Sequence, residues 1–313
     1  MCSRYELSML RPGRQQNRSS GFINVHPWCR FFLPLLLLTG GLALAEEPSM
    51  PANRVLRVCA DPNNLPFTNE RLEGFENKIA ELIAREMNAT VEYTWWAQRR
   101  GFFRNTLNGG KGDIVMGVPV GFDMALTTKP YYRSTYVFVY RKDAGYRITS
   151  FDDPVLRDLT IGVQMIGDDF NNTPPAHALS ARGMIQNIRG YTVYGDYSEE
   201  SPPSRIIQAV AKGEVDVAVA WGPMAGYFAR RQSVPLELVP VSPESEGPAR
   251  PFTFSISMGI RRGDQALKQE VEAIIDRKQK EIERILDEFG VPRLPVVART
   301  NIEEKENNNG AGR

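Results

Sequence analysis

Apolar positions along this chain switch repeatedly between a period near two and a period near 3.6. Residues 55–60 form a short apolar run ending in the turn-rich Asp61-Pro-Asn-Asn, and predict a first strand. A helix over about 76–87 follows, with Ile79, Leu82, Ile83 and Met87 on one face. Residues 91–95 alternate and predict a second strand; 99–107 read as a short helix stopped by Asn108-Gly-Gly. A third strand is predicted at 113–117 and a fourth at 135–140. The unit then recurs in outline, with a strand at 159–164, an amphipathic helix at 204–212 and a strand at 215–220. After the polar connector 242–251 come a strand at 253–261 and the longest helix, 264–289. Asp264 is its expected cap and Gly290 its stop, around an apolar stripe that includes Leu267, Val271, Ile274, Ile282 and Leu286. This alternation predicts a mainly parallel α/β sheet. Two such units, with a strand and helix arriving after a connector, predict two lobes crossed twice by the chain.

The first 45 residues stand outside that pattern. Five arginines precede the apolar run 31–45, which closes with Ala43-Leu44-Ala45. A basic stretch, a short apolar run and an A-x-A end make a secretory signal peptide. The run is shorter than the ~20 residues needed to span a bilayer. Cleavage before Glu46 leaves 268 residues, expected in a bacterial periplasm with no membrane insertion thereafter. Removing five Arg and one Glu from 38 Lys+Arg and 37 Asp+Glu leaves 33 and 36, a formal charge of −3. There is no basic excess to suggest nucleic acid. Residues from about 298 onward, with three consecutive Asn and two Gly, predict a disordered tail.

Candidate chemistry is sparse. Cys2 and Cys29 leave with the leader, so Cys59 has no partner for an internal disulfide. It sits in the first apolar strand, where an inert buried thiol is expected. His177 is the one histidine of the processed chain and lies in another segment. Asp168, Asp169, Glu199 and Glu200 lack the compact spacing of a hard-metal loop and read as solvated charge. Glu76 is expected to serve the helix start, where a negative charge is favourable. No catalytic residue, metal site or cofactor is predicted.

The strings "LRVCADPNNLPF", "GFENKIAELIAREM", "GDIVMGVPV", "KPYYRSTYVFVYRKD" and "GEVDVAVA" resemble those of the family-3 periplasmic solute-binding proteins. With "TWWAQRRGFFRNTL" added, the resemblance narrows to the MoxJ/XoxJ type, which accompanies periplasmic pyrroloquinoline-quinone (PQQ) methanol dehydrogenases. It implies the two-lobed type II periplasmic binding protein fold, α/β, with a hinge crossed twice near 142–148 and 244–252. Lobe 1 would comprise 46–143 and 250–297, and lobe 2 would comprise 144–249. It also implies a PQQ methanol dehydrogenase as partner, bound, activated or matured through the cleft. The alternatives are an importer-linked receptor for a solute that is not an amino acid and, last, a cleft-carboxylate dehydratase.

The departures from the family pattern matter most. Amino-acid receptors of this family place an Arg after the third strand to clamp the ligand carboxylate. Here the stretch Gly117-Val-Pro-Val-Gly-Phe has none. Asp168 and Asp169 stand where a second-lobe Ser or Thr would favour an anion, and Trp221 stands where an Asp would take the ammonium. Gly112 replaces a cysteine that relatives often carry and that could pair with the one in the first strand. The expected lining begins with Asn63, Asn64, Pro66 and Phe67 of the first loop. The aromatic and basic cluster Trp95, Trp96, Arg99 and Arg100 joins it, with Val118 and Phe122. Tyr131 and Tyr132 are added beside them, facing Met165, Asp168 and Trp221.

Overall fold

A computed structural model describes residues 54–166, 172–192, 197–247 and 250–295. The leader, Asp168, Asp169 and the tail lie outside these residues. The described residues belong to one compact unit.

The first half of the chain runs β1 (Arg54–Ala60), the hairpin β2 (Asn63–Asn64) and β3 (Thr68–Asn69), α1 (Phe75–Glu86), β4 (Ala89–Trp95), α2 (Phe102–Asn105), β5 (Ile114–Pro119) and β6 (Leu126–Thr127). It continues into β7 (Tyr132–Arg141), β8 (Ile161–Met165), α3 (Pro174–Ala181), β9 (Ile188–Thr192) and α4 (Arg205–Lys212). The last elements are β10 (Val217–Trp221), α5 (Gly222–Ala229), β11 (Leu236–Pro240), β12 (Thr253–Ile260) and α6 (Gln265–Glu288).

Eight strands order as β4-β1-β5-β12-β7-β10-β8-β9, with β11 also on β7 and β6 also on β12. β1 runs parallel to β4 and β5, and β8 parallel to β9 and β10. β7 and β12 are antiparallel to their neighbours, so the sheet is mixed.

β7 joins the two halves. Its residues Tyr132 to Thr135 pair with β12, while Tyr136 to Arg141 pair with β10 and β11. The change of sheet partners therefore falls inside the strand, ahead of the expected crossing at 142–148. β7 is apolar on both faces, with Val137, Phe138 and Val139 buried, so it can change neighbours without a turn. The polar residues after it form a loop of the second half. The return lies between β11 and β12, where Arg133 is ion-paired with Glu244.

α6 packs on α1, as its stripe requires. Val271, Ile274, Ile275, Ile282 and Leu286 are buried, and Asp264 Oδ1 accepts from Leu267 N at 3.0 Å. Lys278 reaches Glu86 at 2.8 Å and Arg85 reaches Glu281 at 3.0 Å. The rings of Phe75 and Phe289 stand 5.8 Å apart across the same interface. Returning the final helix to the first helix places α1 firmly, and α1 carries the most unusual group of the site.

Candidate functional site

Between the two sheet halves lies a cavity of about 410 Å³, in the range of small-molecule pockets. Strand ends and the loops after them build it. Asp61, Asn63 and Asn64 come from the loop after β1, and Gly117 and Pro119 from β5. Tyr132 and Tyr136 come from β7 and Phe254 and Ile256 from β12. The second half supplies Gln164, Thr173, Tyr197 and Trp221.

Asp61 organises the rim. Its carboxylate accepts from Asn63 N at 2.9 Å, Gln98 N at 2.6 Å and the Tyr197 hydroxyl at 2.6 Å. Burial and the Asp61 carboxylate together hold the Tyr197 hydroxyl well above its ordinary value, so it stays a donor. Asn63 Nδ2 donates to Glu199 O at 2.7 Å, and Arg71 pairs with Glu200 at 2.9 Å. These contacts tie the first loop to residues 197–201. Opposite, Gln164 Oε1 accepts from Trp221 N at 2.9 Å, and Thr173 Oγ1 donates to Gln164 O at 2.6 Å.

One wall is aromatic. Tyr136, Trp221 and Phe254 meet edge to face, with centroids 5.3 Å, 5.8 Å and 6.5 Å apart.

Glu76 is the exception among the lining groups. It sits in the first turn of α1, is only 8 % exposed, and lines the cavity. No hydrogen-bond or ion-pair partner holds its carboxyl among the described residues. Burial alone pushes its pKa up to about 8. Asp61, by contrast, is fully engaged. Thus the described lining contains one satisfied carboxylate and one orphan.

Among the described lining residues there is no Lys, Arg or His. Segments 167–171 and 193–196, outside the described residues, contain no basic residue in sequence either. Arg99 is engaged above the Tyr197 ring, 4.9 Å from its centroid, and does not line the cavity. No cluster of three or more His, Cys, Asp or Glu able to hold a metal occurs among the described residues.

Of the residues expected to line a cleft, Asn63, Asn64, Phe67, Tyr132 and Trp221 do line this cavity. Others are placed elsewhere, each for a physical reason. Tyr131 is wholly buried and its hydroxyl donates to Met116 O at 3.0 Å. Val118 belongs to a small apolar cluster with Cys59, Phe102, Leu107 and Val115, and Phe122 packs beside it on Phe103 at 4.8 Å. The uncharged loop after β5 thus covers apolar side chains of its own lobe. Trp95 stacks on Tyr93 at 4.5 Å, and Met165 packs into the second core. Pro66 accepts from Phe75 N at 2.8 Å, at the start of α1. Trp96 and Arg100 are exposed, Trp96 with the Lys111 ammonium 5.3 Å from its ring. Asp168 lies outside the described residues.

Sequence reasoning passed over Tyr136, Phe254 and Gln164, and treated Glu76 as a helix-start charge. A signal for Glu76 was available. Ile79, Ala80 and Ile83 follow it at i+3, i+4 and i+7, which puts Glu76 on the buried stripe of α1.

A mixed sheet in two halves joined by β7, with a cavity at the strand ends between them, defines the two-lobed binding-protein class. The model of the bacterial extracellular solute-binding proteins, family 3, matches residues 56–291, and the chain belongs to that family. It is 33% identical to Protein MoxJ of Methylorubrum extorquens over 270 residues, 82% of this chain and 88% of that one. It is 30% identical to Protein MoxJ of Paracoccus denitrificans over 272 residues, 82% and 95% of the two chains. The crystal structure of the periplasmic binding protein XoxJ from Methylobacterium extorquens superposes with a TM-score of 0.64 at 35% identity, covering 77% of this chain and all of that one.

Proposed function

We propose that this chain is a periplasmic accessory protein of a PQQ-dependent methanol dehydrogenase, which binds the enzyme and assists its activation or maturation at the cleft. The leader 1–45 would direct export. Lobe 1 would comprise 46–143 and 250–297, with 144–249 forming lobe 2. The observation that carries the reading is similarity to MoxJ proteins over four-fifths of the chain, combined with a cavity whose described lining holds no cationic side chain. Without a Lys or Arg among the described lining residues, a free amino acid or an anionic dehydratase substrate finds no ion-pair partner there for its carboxylate. Two apolar side chains are exposed: Ile166, which lines the cavity, and Trp96, two residues along the chain from the lining Gln98. Such side chains suit a protein contact.

A second reading is favoured by the cavity's size, which suits a small ligand: a solute receptor for an importer. The experiment that separates them is co-purification of tagged, processed protein with apo and holo methanol dehydrogenase. Association, or faster activation of the apo enzyme, supports the accessory role. Neither effect at micromolar concentration leaves the receptor reading in its place.

A further inference from the structure

We propose that the cavity binds a small organic amine, with its ammonium on the Glu76 carboxylate and its apolar part against the Tyr136, Trp221 and Phe254 rings. The proposal rests on reading the cavity as a ligand site and is independent of the dehydrogenase partnership.

Three observations converge on it. Glu76 is a carboxyl more than nine-tenths buried, turned to the cavity and lacking a partner among the described residues. An unpaired buried charge is costly, and a ligand cation that pairs with it recovers that cost. The described lining holds two carboxyl groups and no basic side chain, so the site selects against anions. The three rings then offer electron-rich faces, which attract ammonium groups as well as apolar carbon. A carboxyl-bearing ligand would be repelled; an amine with a compact apolar body meets both halves of the wall.

Position 117 supports a dedicated place for the carboxyl. A Cβ there would stand 2.2 Å from Glu76 Oε1, so glycine leaves the room that Glu76 occupies. The other titratable groups facing Glu76 are the hydroxyls of Tyr93, Tyr131 and Tyr132, whose pKa values are raised above the ordinary tyrosine value with burial as the main cause and Glu76 adding to it. They remain neutral at physiological pH. An amine therefore competes only with the proton on Glu76 itself, and its binding releases that proton.

The probe is benzylamine, titrated calorimetrically into the processed protein at pH 7 and pH 8, with benzyl alcohol and benzoate as neutral and anionic counterparts. Benzylamine should bind at least about tenfold more tightly than either, and more tightly at pH 8 than at pH 7. The buffer dependence of its heat at pH 7 should show close to one proton released, a readout that needs no variant. Glu76→Gln should weaken benzylamine at least about tenfold and abolish the proton release. Equal binding of benzyl alcohol or benzoate, unchanged affinity in Glu76→Gln, no proton release, or no saturable binding of benzylamine at millimolar concentration would each overturn the proposal. Dehydrogenase association, measured separately on the same preparations, reports on the accessory role alone.

Discussion

Glu76 and Gly117 are matched across the wall of the cavity. The carboxyl of Glu76 fills the space a side chain at 117 would take, with Oε1 2.2 Å from the ideal Cβ position. β5 thereby brings its backbone against the first turn of α1, and an ionisable carboxyl is enclosed where apolar packing would otherwise continue. Gly117→Ala should force that carboxyl to move or the strand to shift, costing about 1–3 kcal/mol. Because the conflict is with one side chain, most of the cost should vanish in the Glu76→Ala background. A double-mutant cycle in urea checks this; additive losses would show that Gly117 is needed for another reason.

The buried carboxyl also sets a pH dependence. Its pKa in the folded chain is near 8, against about 4.3 when exposed in the unfolded chain. Between these values the folded state holds a proton that the unfolded state has released. Stability from this group therefore falls as pH rises through that window and levels off above it. Glu76→Gln removes the penalty. It should be more stable than the parent by roughly 1–4 kcal/mol at pH 8 and nearly equal to it at pH 4. Urea midpoints at the two pH values decide it, and an equal effect at both would contradict the assignment.

Glu76 also shows how far the sequence could be read. The helix around it was legible from Ile79, Leu82 and Ile83, and the α6 stripe from Val271 to Leu286, because both are amphipathic. α5 was not legible, since Gly222 to Phe228 are buried on every side and leave no polar face to mark a period. The first loop was placed at the cavity because turn residues follow an apolar strand. The aromatic wall was missed because Tyr136 and Phe254 lie inside continuous strands, where one face of each strand looks like the other. Only the pairing of β7 with β10 and β12 decides which rings meet. The apolar loop after β5 misled for the converse reason: absence of charge marked a satellite core around Cys59.

That core makes its own prediction. Burial pushes the Cys59 thiol up to about 11, so it should resist thiol reagents at pH 8 until the chain unfolds. A Cβ at Gly112 would lie 2.2 Å from Cys59 Sγ. Gly112→Cys therefore brings a second thiol against the first, provided the Cys59 side chain shifts to relieve the overlap. On oxidation the pair should close, adding up to about 4 kcal/mol at the chain-entropy limit for a loop of this length. The test is a rise in melting temperature that dithiothreitol reverses. A second thiol that stays free under oxidising conditions would rule the bridge out.

The last prediction separates the two tryptophans. Trp96 is 39 % exposed and lies outside the cavity, whereas Trp221 is half-buried within it and held by Gln164. Contacts from Asn63 and Arg71 to residues 199–200 tie the two halves together beside the first loop, which favours a folded partner docking on the outside. If the dehydrogenase docks there, Trp96→Ala should weaken association by at least about thirtyfold, the loss of a hot spot worth about 2 kcal/mol. Trp221→Ala should leave association within about threefold and instead weaken benzylamine, because it removes one ring of the wall. Surface-immobilised dehydrogenase measures the first effect and calorimetry the second. A reversed pattern, with Trp221 decisive for the enzyme and Trp96 silent, would mean that a segment of the partner enters the cavity and reaches the aromatic wall itself.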